Sequence, residues 1–188
     1  MHAPLVPDAN GAVETLDVPD GYEMIDGQLV ELKMGAKSSW VGGRIHARLD
    51  SFCEQKTLGW AFPQETAYRC FGTGQTVRKP DASFIRLGRL KNEEPPEGDL
   101  RIPPDLAAEA VSPNDTVYEL DEKIEEYLGA GVRLVWVINP KTRVAIVHRA
   151  DGTVAKVRED QELSGEDVVP GFRCRLGDLL LPPPAPAP

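Results

Sequence analysis

Two carboxylates lie in segments of the sequence that otherwise have the character of a protein core. Asp81 opens the run DASFIRL directly after Pro80, and Glu109 lies within the apolar run DLAAEAV. An ionised carboxylate in an apolar interior costs free energy unless a partner compensates its charge. A divalent cation is one such partner, since Mg²⁺ binds a few carboxylates together with water and substrate phosphates. If the two strands are neighbours, Asp81 and Glu109 can bind the same ion.

A lysine and a tyrosine follow on the helix predicted after the Glu109 strand. Lys123 and Tyr127 are four residues apart, so they project from the same helix face. A lysine beside a metal-bound water can orient or deprotonate that water, or stabilise charge on a scissile phosphate. Together with the two carboxylates, it completes the set of groups needed for phosphodiester hydrolysis.

Each of these residues also has an ordinary structural interpretation. Asp81 follows a proline, and Pro-Asp pairs are common in turns. Glu109 is also consistent with a core carboxylate satisfied by a protein partner. Lys123 lies in the charged segment ELDEKIEE, which is also consistent with an exposed helix salt bridge. The catalytic hypothesis depends on all three residues occurring in an order that reaches one end of a sheet.

The segments around these residues predict groups of strands separated by helices. A hairpin is predicted over 21–34, with Asp26 and Gly27 as its turn. Helices are predicted over 38–57 and 112–131. The predicted strands cover 59–70, 81–87, 105–111, 133–140, 143–150 and 152–159, and the segment 163–180 ends in a short helix or turn. This order predicts an α/β or α+β fold with a mixed central sheet flanked by helices.

The two long helices have predicted caps and buried faces. Ser38 or Ser39 can cap the first helix, and Asn114 or Asp115 can cap the second. The glycine pair at 42–43 weakens the first helix but permits close packing. Five apolar residues at helical spacing form the predicted buried face of the second helix: Val117, Leu120, Ile124, Tyr127 and Leu128.

The charge of the chain bears on what it can bind. Its 188 residues, enough for one domain, carry 21 Lys+Arg and 30 Asp+Glu, a net charge of −9. This argues against a broad phosphate-binding surface but leaves room for a local basic groove. Solvated charges that balance nearby acids are the simpler interpretation of the candidate groove residues. Those candidates are Arg44, Arg48, Arg78, Lys79, Arg86, Arg89 and Lys91.

The cysteines and the hydropathy pattern limit the compartment. Cys53, Cys70 and Cys174 are scattered and lack CxxC spacing, which indicates neither a zinc site nor a disulfide framework. No apolar stretch is long enough to span a bilayer, and the amino-terminal segment lacks the features of a secretory signal. We therefore expect a cytoplasmic protein with no membrane partner.

Five stretches of the chain resemble the Uma2 family, a set of proteins assigned as endonucleases within the PD-(D/E)XK nuclease superfamily. They are YEMIDGQLVEL, KPDASFI, IPPDLAAEAVSPND, ELDEKIEEYLGAGVRLVWVINP and VVPGFRCRLGDLL. The resemblance covers about residues 20–181 and implies a restriction-endonuclease-like core. Asp81 then matches the aspartate of the PD motif and Glu109 the acidic residue of the third motif. The motif lysine would lie at position 111, where this chain has Val111, and the resemblance implies that Lys123 replaces it.

The resemblance further implies a site that uses Mg²⁺ or Mn²⁺. The backbone carbonyl of Ala110 matches the middle residue of the motif, which often ligates the metal. Glu31 and Glu65 are candidates for a further acidic ligand, with Glu31 slightly preferred. Tyr127 would support Lys123 or a phosphate, whereas His46 receives no role.

Two functions follow as expectations. The first is a metal-dependent endonuclease acting on nucleic acid, with DNA favoured, and working as a homodimer, because many restriction-type nucleases pair two sites. The alternative is a non-catalytic interaction module on the same scaffold, which the sequence pI of about 4.9 favours. In either case we expect a flexible arm over 1–18, a Uma2-like nuclease domain over 19–181 and a proline-rich tail over 182–188.

Overall fold

The computed structural model describes residues 17–32, 35–72 and 75–180. The predicted arm and the predicted tail fall almost entirely outside these residues, so the domain boundaries stay a prediction. Among the described helices, none combines the length and the apolar character that crossing a membrane requires.

Strands and helices follow one another in the grouped order expected from the sequence. The strands are β1 (Tyr22–Ile25), β2 (Gln28–Glu31), β3 (Gly59–Pro63), β4 (Tyr68–Phe71), β5 (Thr76–Arg78), β6 (Ala82–Arg86), β7 (Leu106–Ala110), β8 (Leu134–Asn139), β9 (Val144–Arg149), β10 (Val154–Arg158), β11 (Glu162–Ser164) and β12 (Arg173–Arg175). The helices are α1 (Ala36–Lys56), α2 (Val117–Gly129) and α3 (Leu176–Leu180), with a short 3₁₀ turn at Lys91–Glu93.

The main sheet has six strands in the order β10-β9-β8-β7-β6-β3. β7 and β8 are parallel, and the other neighbouring pairs are antiparallel. The predicted mixed central sheet is therefore present. A smaller sheet has the order β2-β1-β5-β4, and β11 pairs with β12.

Helices cover the two faces of the main sheet and create two cores. On one face, α1 contributes Val41, Ile45 and Leu49 to a cluster that includes Phe84 and Trp136. On the other face, α2 contributes residues to a second cluster together with alternate residues of β7 and β8. That cluster includes Ile124, Tyr127, Ala107, Val135 and Val137. Because successive strand residues point to opposite faces, both faces of β7 and β8 are buried.

The helix caps differ from those expected. α1 begins at Ala36 after Gly35, and Ser38 acts from within the first turn, where its Oγ accepts from the Gly35 N–H at 3.2 Å. The cap of α2 is Thr116, whose side chain accepts from the backbone N–H of Glu119 at 3.2 Å. Asp115, a predicted cap, instead accepts from the backbone N–H of Ser112 at 2.7 Å and closes the turn before the helix.

Two further expectations need correction. Val117 was expected on the buried face of α2 but is 73% exposed, because the packed part of the helix begins about one turn later, at Leu120. The predicted strand over 59–70 is two strands in different sheets, β3 and β4. Glu65 lies between them at a φ of 74°, in the left-handed region, and so breaks the strand. Strands β5, β11 and β12 were not predicted.

Gly42 allows α1 to approach the end of β6 closely. A Cβ atom at this position would lie 2.9 Å from the Cβ and 3.3 Å from the Cγ of Asp81, which is closer than van der Waals contact allows. A Cβ at Gly43 would meet nothing within 4 Å. The predicted close packing at the glycine pair thus belongs to Gly42 alone.

We expect Gly42→Ala to destabilise the protein and the neighbouring Gly43→Ala to stabilise it. Overpacking costs about 1–3 kcal/mol, whereas replacing a helical glycine by alanine without a clash gains about 0.5–1 kcal/mol. Urea unfolding of both variants measures the difference. Equal stabilities would contradict the close contact between α1 and Asp81.

Candidate active site

Asp81 and Glu109 come together where β6 begins and β7 ends. The antiparallel register pairs Ala82 with Ala108, which places Asp81 level with Glu109 on the neighbouring strand. The backbone N–H of Ala110 donates to Oδ2 of Asp81 at 2.6 Å. Asp81, Glu109 and Ala110 all line one cavity of about 280 Å³. The two carboxylates identified in the sequence are therefore neighbours in space.

Helix α2 adds the lysine and the tyrosine to the same place. Nζ of Lys123 lies 3.0 Å from Oε1 of Glu109, and the Tyr127 hydroxyl donates to that oxygen at 2.6 Å. The Lys123 side chain is only 13% exposed, so its interpretation as an exposed helix salt bridge is wrong. The structure thus brings Asp81, Glu109, Lys123 and Tyr127 together at one edge of the main sheet.

A third carboxylate, Glu23 of β1, completes the surroundings of Lys123. Its Oε1 lies 3.1 Å from Nζ of Lys123 and accepts from the backbone N–H of Lys79 at 2.7 Å. Its Oε2 lies 3.0 Å from Nη1 of Arg78. Glu23 is 3% exposed and lines the cavity. The sequence analysis missed it, although it carries the signal that identified Glu109, a carboxylate among apolar residues of a strand.

The two acidic residues proposed as further ligands lie in different surroundings. Glu31, at the end of β2, is exposed and lines the cavity. Glu65 binds Nζ of Lys79 at 2.9 Å and accepts from the backbone N–H of Gly21 at 3.2 Å. Glu65 is absent from the residues described as lining the cavity. Of the two, only Glu31 is placed beside the predicted carboxylate pair.

Most residues of the candidate basic groove form ion pairs or hydrogen bonds with nearby acceptors. Arg78 and Lys79 are both 3% exposed and pair with acids. Arg89 lies 2.8 Å from a carboxylate oxygen of Asp105. Arg86 is 3.7 Å from the same carboxylate, Arg44 donates to the backbone carbonyl of Asp178 at 2.6 Å, and Arg48 and Lys91 are exposed. Pairing with nearby acids is thus confirmed for Arg78, Lys79, Arg86 and Arg89, but the expectation of solvated charges is wrong for Arg78 and Lys79, which are buried.

Burial and charge shift the pKa values of the carboxylates in opposite directions. Burial, reinforced by the charge of Glu109, raises the pKa of Asp81 to about 7. Burial also raises the pKa of Glu109, although Lys123 opposes the shift. Burial would raise the pKa of Glu23 too, but Lys123 and Arg78 together hold it below its usual value.

The donors of the site keep their protons. Burial acts to lower the pKa of Lys123, but the charges of Glu109 and Glu23 outweigh it and raise that pKa. Burial, together with the charge of Glu109, raises the pKa of Tyr127 well above its ordinary value. At neutral pH the site therefore contains an ammonium group and a neutral hydroxyl, and both donate to Glu109.

The oxygen atoms around the cavity fit a small divalent cation. Oδ2 of Asp81 and Oε1 of Glu109 accept the hydrogen bonds already described, whereas Oδ1 and Oε2 have no such partner among the described residues. Burial raises the pKa of both carboxyls, and a cation bound between them would favour their ionised forms. Across 17–32, 35–72 and 75–180, no three His, Cys, Asp or Glu side chains form a metal-binding group. Two carboxylates and a backbone carbonyl, completed by water or phosphate, suit Mg²⁺ or Mn²⁺.

Removal of the Lys123 charge is expected to destabilise the protein strongly. Lys123→Met leaves Glu109 and Glu23 buried without their shared cation, which costs about 3–5 kcal/mol. Adding Glu23→Gln removes one of the two carboxylates that shared this cation, so the second substitution should restore part of the loss. Urea unfolding of the two single variants and the double variant measures this coupling.

An exposed pair provides the control for that cycle. Arg173 and Glu162 lie 3.4 Å apart with side chains 65% and 53% exposed, and Arg173→Met should change stability by less than about 1 kcal/mol. Strict additivity of Lys123→Met and Glu23→Gln would contradict a shared buried cluster.

In the metal-free protein, the titration of Asp81 is expected to lower stability as the pH rises from about 4 to about 7. The pKa of Asp81 is about 7 in the folded protein against an ordinary value of 3.8. Within this window the folded state binds more protons than the unfolded state, so the free energy of unfolding falls with pH. Asp81→Asn should remove the effect, which amounts to at most about 4 kcal/mol.

Urea unfolding in EDTA at about pH 5 and about pH 8 tests this titration. The stability of Asp81→Asn relative to the parent should be greater at the higher pH. Asp50→Asn, an exposed change of the same kind on α1, should show no such trend. An equal gap at both pH values would show that Asp81 is already ionised at pH 5.

Comparisons with known proteins identify the family and the fold. Residues 14–177 match the Uma2 family, which is described as "Putative restriction endonuclease". Among solved structures, the chain is similar to a protein of Anabaena variabilis described as a "putative nuclease belonging to DUF820". The TM-score is 0.73 at 20% identity, covering 88% of this chain and 93% of that one. A comparison with curated proteins finds no match. The predicted fold class is confirmed.

Proposed function

This chain belongs to the Uma2 family, and we propose that it is a metal-dependent endonuclease that hydrolyses phosphodiester bonds in DNA. The observation that carries the proposal is the convergence of Asp81, Glu109 and Lys123 at one cavity. Asp81 is bound to the backbone beside Glu109, and Lys123 lies 3.0 Å from Glu109. The description of the family as restriction endonucleases supports the same activity.

Asp81, Glu109 and the carbonyl of Ala110 would hold the cation, which when bound polarises a phosphate oxygen and makes water more acidic. Tyr127 fixes the orientation of the Glu109 carboxylate through Oε1 and leaves Oε2 available. Ala110 does the same for Asp81 through its backbone N–H, which leaves Oδ1 available. Each carboxylate thus presents one oxygen while the protein holds the other.

Lys123 acts as a proton donor and a positive charge in this proposal. Its raised pKa makes it a poor base, so the deprotonation of water by this lysine is disfavoured. Its contacts with Glu109 and Glu23 hold the ammonium at the cavity, where it can donate to an attacking water or a phosphate oxygen. Arg78 holds Glu23 from the other side at 3.0 Å and so keeps Lys123 in position.

A second candidate is a non-catalytic interaction module on the same scaffold. Two observations favour it: the net charge of −9, which opposes binding to DNA, and the closed set of ion pairs around Lys123. In this case the buried charges would serve only the fold. The homodimer expected from the sequence also stays a prediction, since cutting both strands of a duplex is its only argument.

Cleavage assays with Mn²⁺ or Mg²⁺ distinguish the two functions. We expect Asp81→Asn and Glu109→Gln each to reduce cleavage of plasmid DNA by at least about 100-fold, because each removes a group that acts on the reacting phosphate. Glu97→Gln, an exposed carboxylate change of the same size in the segment before β7, should leave the rate unchanged. Cleavage at the parental rate by the Asp81 and Glu109 variants would contradict the proposed site.

Thermal unfolding tests cation binding without any need for activity. Mn²⁺ at 100 times its dissociation constant should stabilise the parent by about 2.7 kcal/mol. Asp81→Asn should lose this stabilisation, and Glu97→Gln should keep it. A folded parent whose melting temperature does not respond to millimolar Mn²⁺ would favour the interaction module.

A further inference from the structure

A second group of charged residues lies at the same edge of the main sheet as the candidate site. β7 and β8 are parallel, so their carboxyl ends share this edge. β9 starts there and β10 ends there, because Asn139 pairs with Val144 and Val144 pairs with Arg158. The β8–β9 turn contributes Lys141 and Arg143.

Register also places Arg158 of this group on the same face of the main sheet as Glu109. Glu109 pairs with Val137, Val137 with Ile146, and Ile146 with Lys156. Residues directly opposite one another project from one face, and so do residues two apart on a strand. Arg158, two residues after Lys156, therefore projects from the face that carries Glu109.

The charged residues surround a shallow depression of about 440 Å³. Its lining includes Thr142, Arg143, Arg158, Glu159 and Arg175. Nη2 of Arg143 lies 2.6 Å from Oε1 of Glu159, so this pair is internally neutral. Arg158 and Arg175 are exposed and form no ion pair among the described residues, although Arg175, after Arg143, also helps to lower the pKa of Glu159. Their guanidinium groups remain available for an external anion.

The local charge is opposite in sign to that of the whole chain. The depression is lined by three arginines and two carboxylates. With Lys141 in the adjoining turn and Glu162 directly opposite Arg175, the local net charge is +1. The chain as a whole carries −9. Arginine binds phosphate oxygens in a two-pronged geometry, which makes this surface suitable for a phosphodiester backbone.

We propose that Arg158 and Arg175, with Arg143 and Lys141, bind backbone phosphates of the DNA that occupies the candidate site. β7 and β10 are three strands apart, about 14 Å at the usual strand spacing. One strand of DNA rises 3.4 Å per nucleotide, so the contact lies about four nucleotides from the scissile bond. The inference rests on the proposed function and adds the direction in which the substrate extends.

Binding of a labelled 20-base-pair DNA duplex, measured by anisotropy in Ca²⁺ over a range of salt, tests the surface. The variant Arg158→Gln/Arg175→Gln should bind at least about tenfold more weakly, with the salt slope reduced by about 2. Arg101→Gln is the matched control, because Arg101 is exposed and lies in the segment that leads into the opposite end of β7. The substitutions Arg158→Gln, Arg175→Gln and Arg101→Gln each keep a polar side chain, and none of them alters the Arg143–Glu159 pair.

Hydrolysis of bis(4-nitrophenyl) phosphate in Mn²⁺ separates this inference from the proposed function. This ester is too small to span 14 Å, so the parent and the double variant should hydrolyse it equally. If the parent hydrolyses neither the ester nor DNA while binding still depends on Arg158 and Arg175, the proposed activity fails and the surface stands. If the double variant binds DNA like Arg101→Gln, or the parent binds no DNA, the surface is overturned.

Discussion

The ammonium group of Lys123 lies between two buried carboxylates and connects the candidate site to the elements of the fold. Nζ of Lys123 lies 3.0 Å from Glu109 on β7 and 3.1 Å from Glu23 on β1. The contact therefore joins α2, the main sheet and the smaller sheet through one charge. Neither carboxylate would be tolerated in this interior alone, because the desolvation of an unpaired ion exceeds what packing returns. This arrangement holds Lys123, Glu109 and Glu23 together at the cavity.

The charges are compensated unevenly, and that difference separates structural groups from chemical ones. Glu23 has two cations and a backbone donor, and its pKa is lowered. Glu109 shares one cation, and its pKa is raised. Asp81 has a backbone donor but no ion pair, and its pKa is raised to about 7. The protein thus pairs Glu23, which is not a predicted ligand, more fully than it pairs the predicted ligands Asp81 and Glu109.

Net charge and local charge have different consequences for an acidic protein that acts on DNA. A net charge of −9 repels a polyanion such as DNA. At physiological ionic strength, salt screens this repulsion at separations beyond about 8 Å. Once the protein and the DNA are in contact, charge pairs at hydrogen-bond distance determine the binding affinity. Arg78 and Lys79 are buried and paired with Glu23 and Glu65. The cations left for a phosphate backbone are therefore exposed ones such as Arg158 and Arg175.

The sequence by itself determined the two long helices, the strands of the mixed main sheet and Asp81, Glu109 and Lys123 as candidate site residues. Asp81 and Glu109 were visible because a carboxylate in an apolar run is a local anomaly, and Lys123 because helical spacing aligns it with Tyr127. Only the tertiary structure selected Glu23 as the second partner of Lys123, paired Glu65 with Lys79 and left Val117 exposed. The reason is physical: periodicity and polarity report a residue's immediate neighbours along the chain. An ion pair between residues 100 positions apart depends instead on how β1 and α2 pack against each other.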